Sequence, residues 1–292
     1  MNETVEEFVQ EYAETVQSCE RFAFLPRGGS YQRQAIKDLS DLLEKSGQVH
    51  MEVIKQEEEE AANQILALRC MINSLRYELK MWIDLKEESW GKAWNALVDA
   101  QESARSARSA HNIAVQCNVQ NYLKKLEMIE KFVFPPQQFN SPGLYIENFL
   151  CSICGEDYSE CEHIAGEPYW GFFCQRVVDG VVGTREVSLV DNPEDKKARI
   201  TEHITDDGMI RNQLTWEKRE MDEEEKEDYE DRSDEDLIIR GIVMTPDDTE
   251  TDFTEYFQNR DFYSNIFLAL LYMSAPSQFR VSASSPTTQL SV

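Results

Sequence analysis

The chain has 292 residues, 41% of them apolar and 29% charged, with a formal net charge of −26. That length suits two ordinary domains, or one elongated helical element and a compact module. Such an acidic balance disfavours direct binding to nucleic-acid backbones, which draws its affinity from Lys and Arg neutralising phosphates. The longest apolar run, Ile266–Ala275, is about half the ~20 residues that span a bilayer, so no membrane-spanning segment is expected. The N-terminus, MNETVEEFVQEY, is acidic and amphipathic rather than basic and then apolar like an export signal. A cytoplasmic location is the expectation.

In chain order, Val5, Phe8, Val9, Tyr12, Val16 and Cys19 recur at helical spacing. Pro26 and Gly28-Gly29 break the chain, and Ser30 is a candidate cap for a second helix over 31–46, which Gly47 ends or weakens. Ala61, Ile65, Leu68, Ile72, Leu75, Leu79 and Trp82 alternate by four and three, the seam of a coiled coil. After a polar break at Lys86–Ser89, Ala93, Leu97, Ala100, Ala104, Ala107, His111 and Ala114 repeat the alternation with small side chains. Bulky knobs on one helix fit small residues on the other. The spacing therefore predicts an antiparallel hairpin, roughly 49–85 against 90–133, with a second arm on the order of 65 Å long. A parallel homodimer through the bulky seam is the alternative.

FPPQQFNSPG (134–143) ends the helical part. Beyond it the period shortens. Phe172–Val178 and Val181–Val190 read as strands joined by an Asp179-Gly180 turn, and Ile200–Thr205 and Met209–Trp216 as a second hairpin over Asp206-Asp207-Gly208. The acidic tract Glu220–Asp236 reads as a solvated linker. Leu237–Met244 reads as a strand, Phe253–Met273 as a helix, and the end of the chain as disordered. The expected fold class is α+β. Its parts are a helical hairpin (1–133), a metal-stapled β module (134–218), a linker (219–236), a strand and helix (237–276), and a tail (277–292).

The chemistry concentrates in CSICGEDYSECEHIAGEPYWGFFC, residues 151–174, which hold four of the seven cysteines. In a reducing compartment such a cluster points to metal before disulfides. Cys151 and Cys154 form a Cys-x2-Cys pair, and Cys161-x-His163 places two donors on one side of an extended segment. Zinc takes four tetrahedral thiolate or imidazole ligands. Cys151, Cys154, Cys161 and His163 are the first assignment for a structural Zn2+. Cys174 is an alternative ligand, displacing either His163 or Cys161. Cys19, Cys70 and Cys117 stand alone in helical segments and read as small buried apolar side chains.

The string Cys-x2-Cys-x6-Cys-x-His-Ile-x-Gly-x2-Tyr-x-Gly-x2-Cys resembles a cysteine module of bacterial and prophage-linked proteins. The adjoining REVSLVDNPEDKKARI, Arg185–Ile200, is similar to a segment of tailed-phage prohead proteases. Together they cover about a sixth of the chain. Protease activity does not carry over, because the helical half ahead of the segment lacks the domain expected there. Ser188 is better read as an exposed strand residue than as a nucleophile. The resemblance implies a setting in phage–bacterium conflict.

No nucleophile–base pair, phosphate-cradling glycine loop or paired carboxylates in an apolar pocket stands out. The expectation is a non-enzymatic, zinc-containing interaction protein, an adaptor, sensor or regulatory subunit with protein partners. The alternatives are a degenerate prohead-protease-like or zinc-dependent hydrolase, and an acidic nucleic-acid mimic carried by Glu57–Glu60 and the 220–236 tract.

Overall fold

The computed structural model of the chain describes residues 3–205, 207–223, 225–226 and 239–241. The expected helix over Phe253–Met273, the tail from 277 and most of the acidic linker lie outside these residues.

Helices α1 (Glu3–Glu20), α2 (Gly29–Lys55), α3 (Glu59–Lys86) and α4 (Trp90–Ala110) follow one another through short connections. The first break falls where Pro26 and Gly28 predict it. Gly28 takes the N-cap position and the helix starts at Gly29, so Ser30 lies inside the helix instead of capping it. Gly47 does not end α2 either. Ser46 and Val49 on either side of it are buried, so packing outweighs the roughly 1 kcal/mol that glycine costs a helix interior.

The residues of both alternating seams are buried, and α3 packs against α4. Ile65, Leu68, Ile72, Leu75, Leu79 and Trp82 of α3 are buried, as are Ala93, Leu97, Ala100, Ala104 and Ala107 of α4. The alanines let the backbones approach closely enough for the Ser74 hydroxyl to donate to the Ala100 carbonyl at 2.5 Å. The helical part is nevertheless more than a two-helix hairpin. α3 packs against α2 as well as α4, and α1 packs on α2, so α3 is the core of a bundle.

The second arm is also shorter than the spacing suggests. α4 ends at Ala110, where His111 turns extended. The His111 ring accepts the Ile113 N–H at 3.0 Å and pairs with Glu60 at 2.8 Å, competing with helical continuation. A single turn, α5 (Ile113–Gln116), leads to Asn118 in the left-handed region at φ 62°, a conformation Asn tolerates. From there α6 (Val119–Val133) returns along α4, where Gln101 donates to Glu130 at 2.7 Å. The expected arm over 90–133 is thus three helices, and α4 alone is ~32 Å long at ~1.5 Å per residue.

The β part begins with β1 (Phe139–Cys151), which pairs antiparallel with β4 (Arg176–Val190), from Phe139 opposite Val190 to Cys151 opposite Arg176. This corrects the expected Asp179-Gly180 hairpin. One strand runs straight through both residues. Gly180, at φ 88°, serves a bulged ribbon rather than a turn, and Val182 is the extra residue between the Tyr145–Gly183 and Ile146–Val181 pairs. The inserted module between β1 and β4 carries a minimal hairpin, β2 (Pro168–Tyr169) and β3 (Phe172–Phe173).

The second expected hairpin is present. β5 (Ile200–Ile204) and β6 (Ile210–Asn212) are antiparallel, with Gly208 at φ 73° in the turn. β7 (Lys218–Arg219) and β8 (Ile239–Gly241) complete the order β7-β6-β5-β8. Where the acidic tract is described it is held in place. Glu225 is buried and takes two bonds from Arg219, at 2.7 and 2.8 Å. The helical and β parts meet at Trp94, whose indole donates to the Lys196 carbonyl at 3.0 Å and whose ring meets Phe134 edge-on. Lys196–Glu130 and Lys197–Asp99 ion pairs, each at 2.7 Å, close the same seam.

Candidate metal centre

The site is built at the open end of the β1–β4 ribbon. β1 delivers Cys151, and the chain then turns back so that Gly155 N–H donates to the Cys151 carbonyl at 2.8 Å. Gly155 sits at φ 76°, a conformation glycine adopts freely. The turn aims the Ile153 N–H at the Cys151 sulfur, 3.4 Å away. Asp157 holds the next bend by accepting from the Ser159 N–H and hydroxyl at 2.8 and 2.6 Å. The loop through Cys161 and His163 is fastened by two tyrosines. Tyr158 accepts the Ala165 N–H at 2.9 Å and Tyr169 the Ile164 N–H at 3.0 Å.

These turns bring Cys151, Cys154, Cys161 and His163 together, with one potential ligand atom from each and all four atoms within 4.8 Å of one another. Bonds of ~2.0–2.3 Å in a tetrahedral zinc shell place ligand atoms roughly 3.3–3.8 Å apart, so a small contraction closes the set on an ion. The His163 ring supplies the most direct sign of fit. Its Nδ1 is buried and has no hydrogen-bond partner among the described residues. A buried polar nitrogen without a partner costs about 1–3 kcal/mol, and metal coordination satisfies it. Tyr169 meets the same ring edge-on at 4.7 Å and fixes its plane. Cys174 stands outside the mutual set, but its sulfur is 3.7 Å from that of Cys151, with both residues only 1% exposed.

The thiols differ in acidity. Burial works against a Cys151 thiolate, yet the N–H groups of Cys154 and Ile153 and the thiols of Cys154 and Cys174 bring its pKa down to about 6. Cys174 is pushed up to about 12 by burial, then by its hydrogen bond to Cys151 and the charges of the neighbouring thiolates. Burial also raises Cys161. Negative charges crowded this closely need a cation before all can ionise. The cluster can therefore bind a metal ion such as zinc.

The module is also seated on the helices, which the residue spacing did not foretell. The β2–β3 turn is Trp170-Gly171, with both residues at positive φ, 53° and 78°, as two-residue turns of type I′ require. Its tip lies between α2 and α3. Trp170 N–H donates to Glu59 at 3.2 Å and Gly171 N–H to Asn63 at 2.7 Å. His50, 2% exposed, places Nε2 3.0 Å from the Trp170 carbonyl and its ring beside Phe172. A Cβ on Gly171 would stand 2.0 Å from His50 Nε2 and 2.9 Å from the Ala62 carbonyl. Burial, and then the charge of Arg69, hold the His50 pKa down to about 4. In the sequence His50 shows only as a polar residue where the Ala61–Trp82 alternation extends upstream.

Ser188 takes no part in the cluster. It is exposed and pairs with Ser141 near the far end of the ribbon, roughly 34 Å of strand from Cys151 at ~3.4 Å per residue. Cys19 and Cys70 are buried and Cys117 is partly buried, and none of the three belongs to the cluster. Among the described residues no helix is long and apolar enough to cross a membrane.

No protein-family model matches this chain, and no curated protein or solved structure matches it either. The resemblance to the bacterial and prophage cysteine module is therefore carried by the motif alone, and the four residues it aligns do gather in space.

Proposed function

We propose that the chain is a non-enzymatic, zinc-stapled interaction protein, an adaptor, sensor or regulatory subunit of the cytoplasm. The observation that carries this reading is the Cys151–Cys154–Cys161–His163 set with its unpartnered, buried His163 Nδ1. Four protein donors complete a tetrahedral shell and leave no position for a reacting water. Zinc here is structural, and it stabilises a stretch whose only strands are two residues long. The stapled hairpin presents its tip to the helices, so zinc holds a β module in a set position on a helical platform.

Partner recognition on this reading falls to exposed apolar side chains of the helices. Met128 and Phe132, one turn apart on α6, are 56% and 81% exposed. The partner is a protein, in phage–bacterium conflict if the motif resemblance extends to biology, and a second copy of the chain is one form it can take. The test begins with metal content. One zinc per chain that resists mild chelation, and whose stripping unfolds residues 151–174 in hydrogen exchange, supports the reading. A readily exchanging zinc accompanied by hydrolytic turnover sinks it. Crosslinking with wild type and a Met128→Asp/Phe132→Asp variant then tests the surface, and a partner retained by that variant means that α6 does not carry recognition.

A further inference from the structure

A second polar site lies away from the thiols, where the loop before β5 crosses the start of α4. Arg199 is 5% exposed, and its Nε is buried without a hydrogen-bond partner. Among the described residues its side chain makes one hydrogen bond, from Nη1 to the carbonyl of its own neighbour, Ile200, at a long 3.5 Å. Burial alone lowers its pKa, and no carboxylate among the described residues acts on it. Buried guanidinium groups are ordinarily paired, because an unpaired buried charge costs several kcal/mol.

What the guanidinium faces makes the imbalance larger. Its Nη2 lies 3.8 Å from where a Cβ of Gly91 would be, which sets it on the first turn of α4. The N–H groups of Trp90, Gly91 and Lys92 have no partner within a helix at that position. Ser89, at the N-cap, makes no side-chain hydrogen bond to them, and no acidic residue occupies the turn. A cation thus rests against the positive end of a 21-residue helix, with Lys92 adding another positive charge. Gly91 itself is exposed, so this turn is open to solvent on the side where a side chain would otherwise stand.

We propose that Arg199 and the first turn of α4 form a binding site for a phosphate-type oxyanion. The guanidinium fork offers two parallel donors, matched to two oxygens of a tetrahedral anion. The bare backbone at Gly91 supplies N–H donors along the helix axis. The chain's overall negative charge does not prevent this, because charges more than ~8–10 Å away are largely screened at physiological salt. The site is independent of the metal reading and shares no residue with it.

The experiment is thermal unfolding of the full chain in inorganic phosphate against chloride at equal ionic strength, with an acetate arm. The expected result is a saturable rise of the melting temperature in phosphate that acetate does not reproduce. Arg199→Met should abolish the rise while melting no lower than wild type in chloride, since it removes an unpaired buried charge. Gly91→Ala fills the approach to the helix turn and should also abolish the rise while leaving Arg199 in place. If Arg199→Met does not fold, Gly91→Ala alone decides. Absence of a saturable rise in wild type, an equal rise in acetate, or a rise that survives Gly91→Ala each overturns the site.

Discussion

Replacing Gly171 by alanine tests whether the zinc module is seated on the helices through its hairpin tip. The added Cβ would meet His50 Nε2 at 2.0 Å and the Ala62 backbone carbonyl at 2.9 Å. The carbonyl cannot rotate away as a flexible side chain could. Holding an L-residue at φ 78° costs roughly 1–2 kcal/mol, and overpacking of this kind typically costs about 1–3 kcal/mol more. The tip should leave its seat, with a loss of about 2 kcal/mol or more and a fall in melting temperature of ~2–4 °C per kcal/mol. Zinc content should not change, because no ligand is altered. The effect also depends on pH. His50 in place has its pKa held down to about 4, so docking favours the neutral ring. The stability it lends is fully present above the unfolded value of ~6.5 and is lost as pH falls towards 4, a swing on the order of 3 kcal/mol. The destabilisation by Gly171→Ala should therefore be larger at pH 7 than at pH 4.5. Chemical denaturation at both pH values, with His50 followed by NMR, gives the answer. If the variant is as stable as wild type and His50 still titrates near 4, the hairpin tip does not sit between α2 and α3.

Three further outcomes are expected. Cys151→Ser should lose zinc, whereas Cys174→Ser should retain one equivalent by elemental analysis; the reverse result would make Cys174 a ligand in place of one of the four. Glu102 is partly buried, and burial followed by Asp195 and Asp99 raises its pKa to about 7. The folded state thus holds a proton that the unfolded state releases near 4.5, and stability should fall by up to ~3 kcal/mol as pH rises from 4.5 to 7. Glu102→Gln should remove that fall, as seen in denaturation midpoints across the range, and an unchanged slope would assign it elsewhere. Ala100→Leu should destabilise the α3–α4 contact by about 1–3 kcal/mol, since Ala100 is fully buried with its carbonyl bonded to Ser74; a neutral effect in chemical denaturation would mean that the contact is loose.

What could be read from the sequence was what depends on local periodicity and spacing. The four–three alternations of α3 and α4 each select one helix face, and the residues of both faces are buried. The Cys-x2-Cys pair and Cys-x-His pair were legible because metal ligands must be close, and short spacing enforces that. The Asp179-Gly180 turn misled for the opposite reason. A two-residue turn signal is weak beside an eleven-pair ladder with a strand some thirty residues upstream, and that partner cannot be seen in a local window. The breaks at His111 and Asn118 escaped because each depends on one side chain or one left-handed residue inside an otherwise helical pattern. The seat of Trp170-Gly171 between α2 and α3 joins residues more than a hundred positions apart, and no spacing rule reaches so far.

The β1–β4 ribbon has a consequence for behaviour at high concentration. Among the described residues these two strands form a sheet of their own, so each has an outer edge with no regular neighbour. Long, flat edges of this kind invite pairing with other molecules. This one is not flat. It is interrupted near Gly143 and again at Val182, and each irregularity turns the outward-facing N–H and C=O groups out of register with a straight incoming strand. Asp179, Arg185 and Glu186 add exposed charge along β4. The two irregularities and these charges therefore disfavour edge-to-edge pairing of this ribbon with copies of itself.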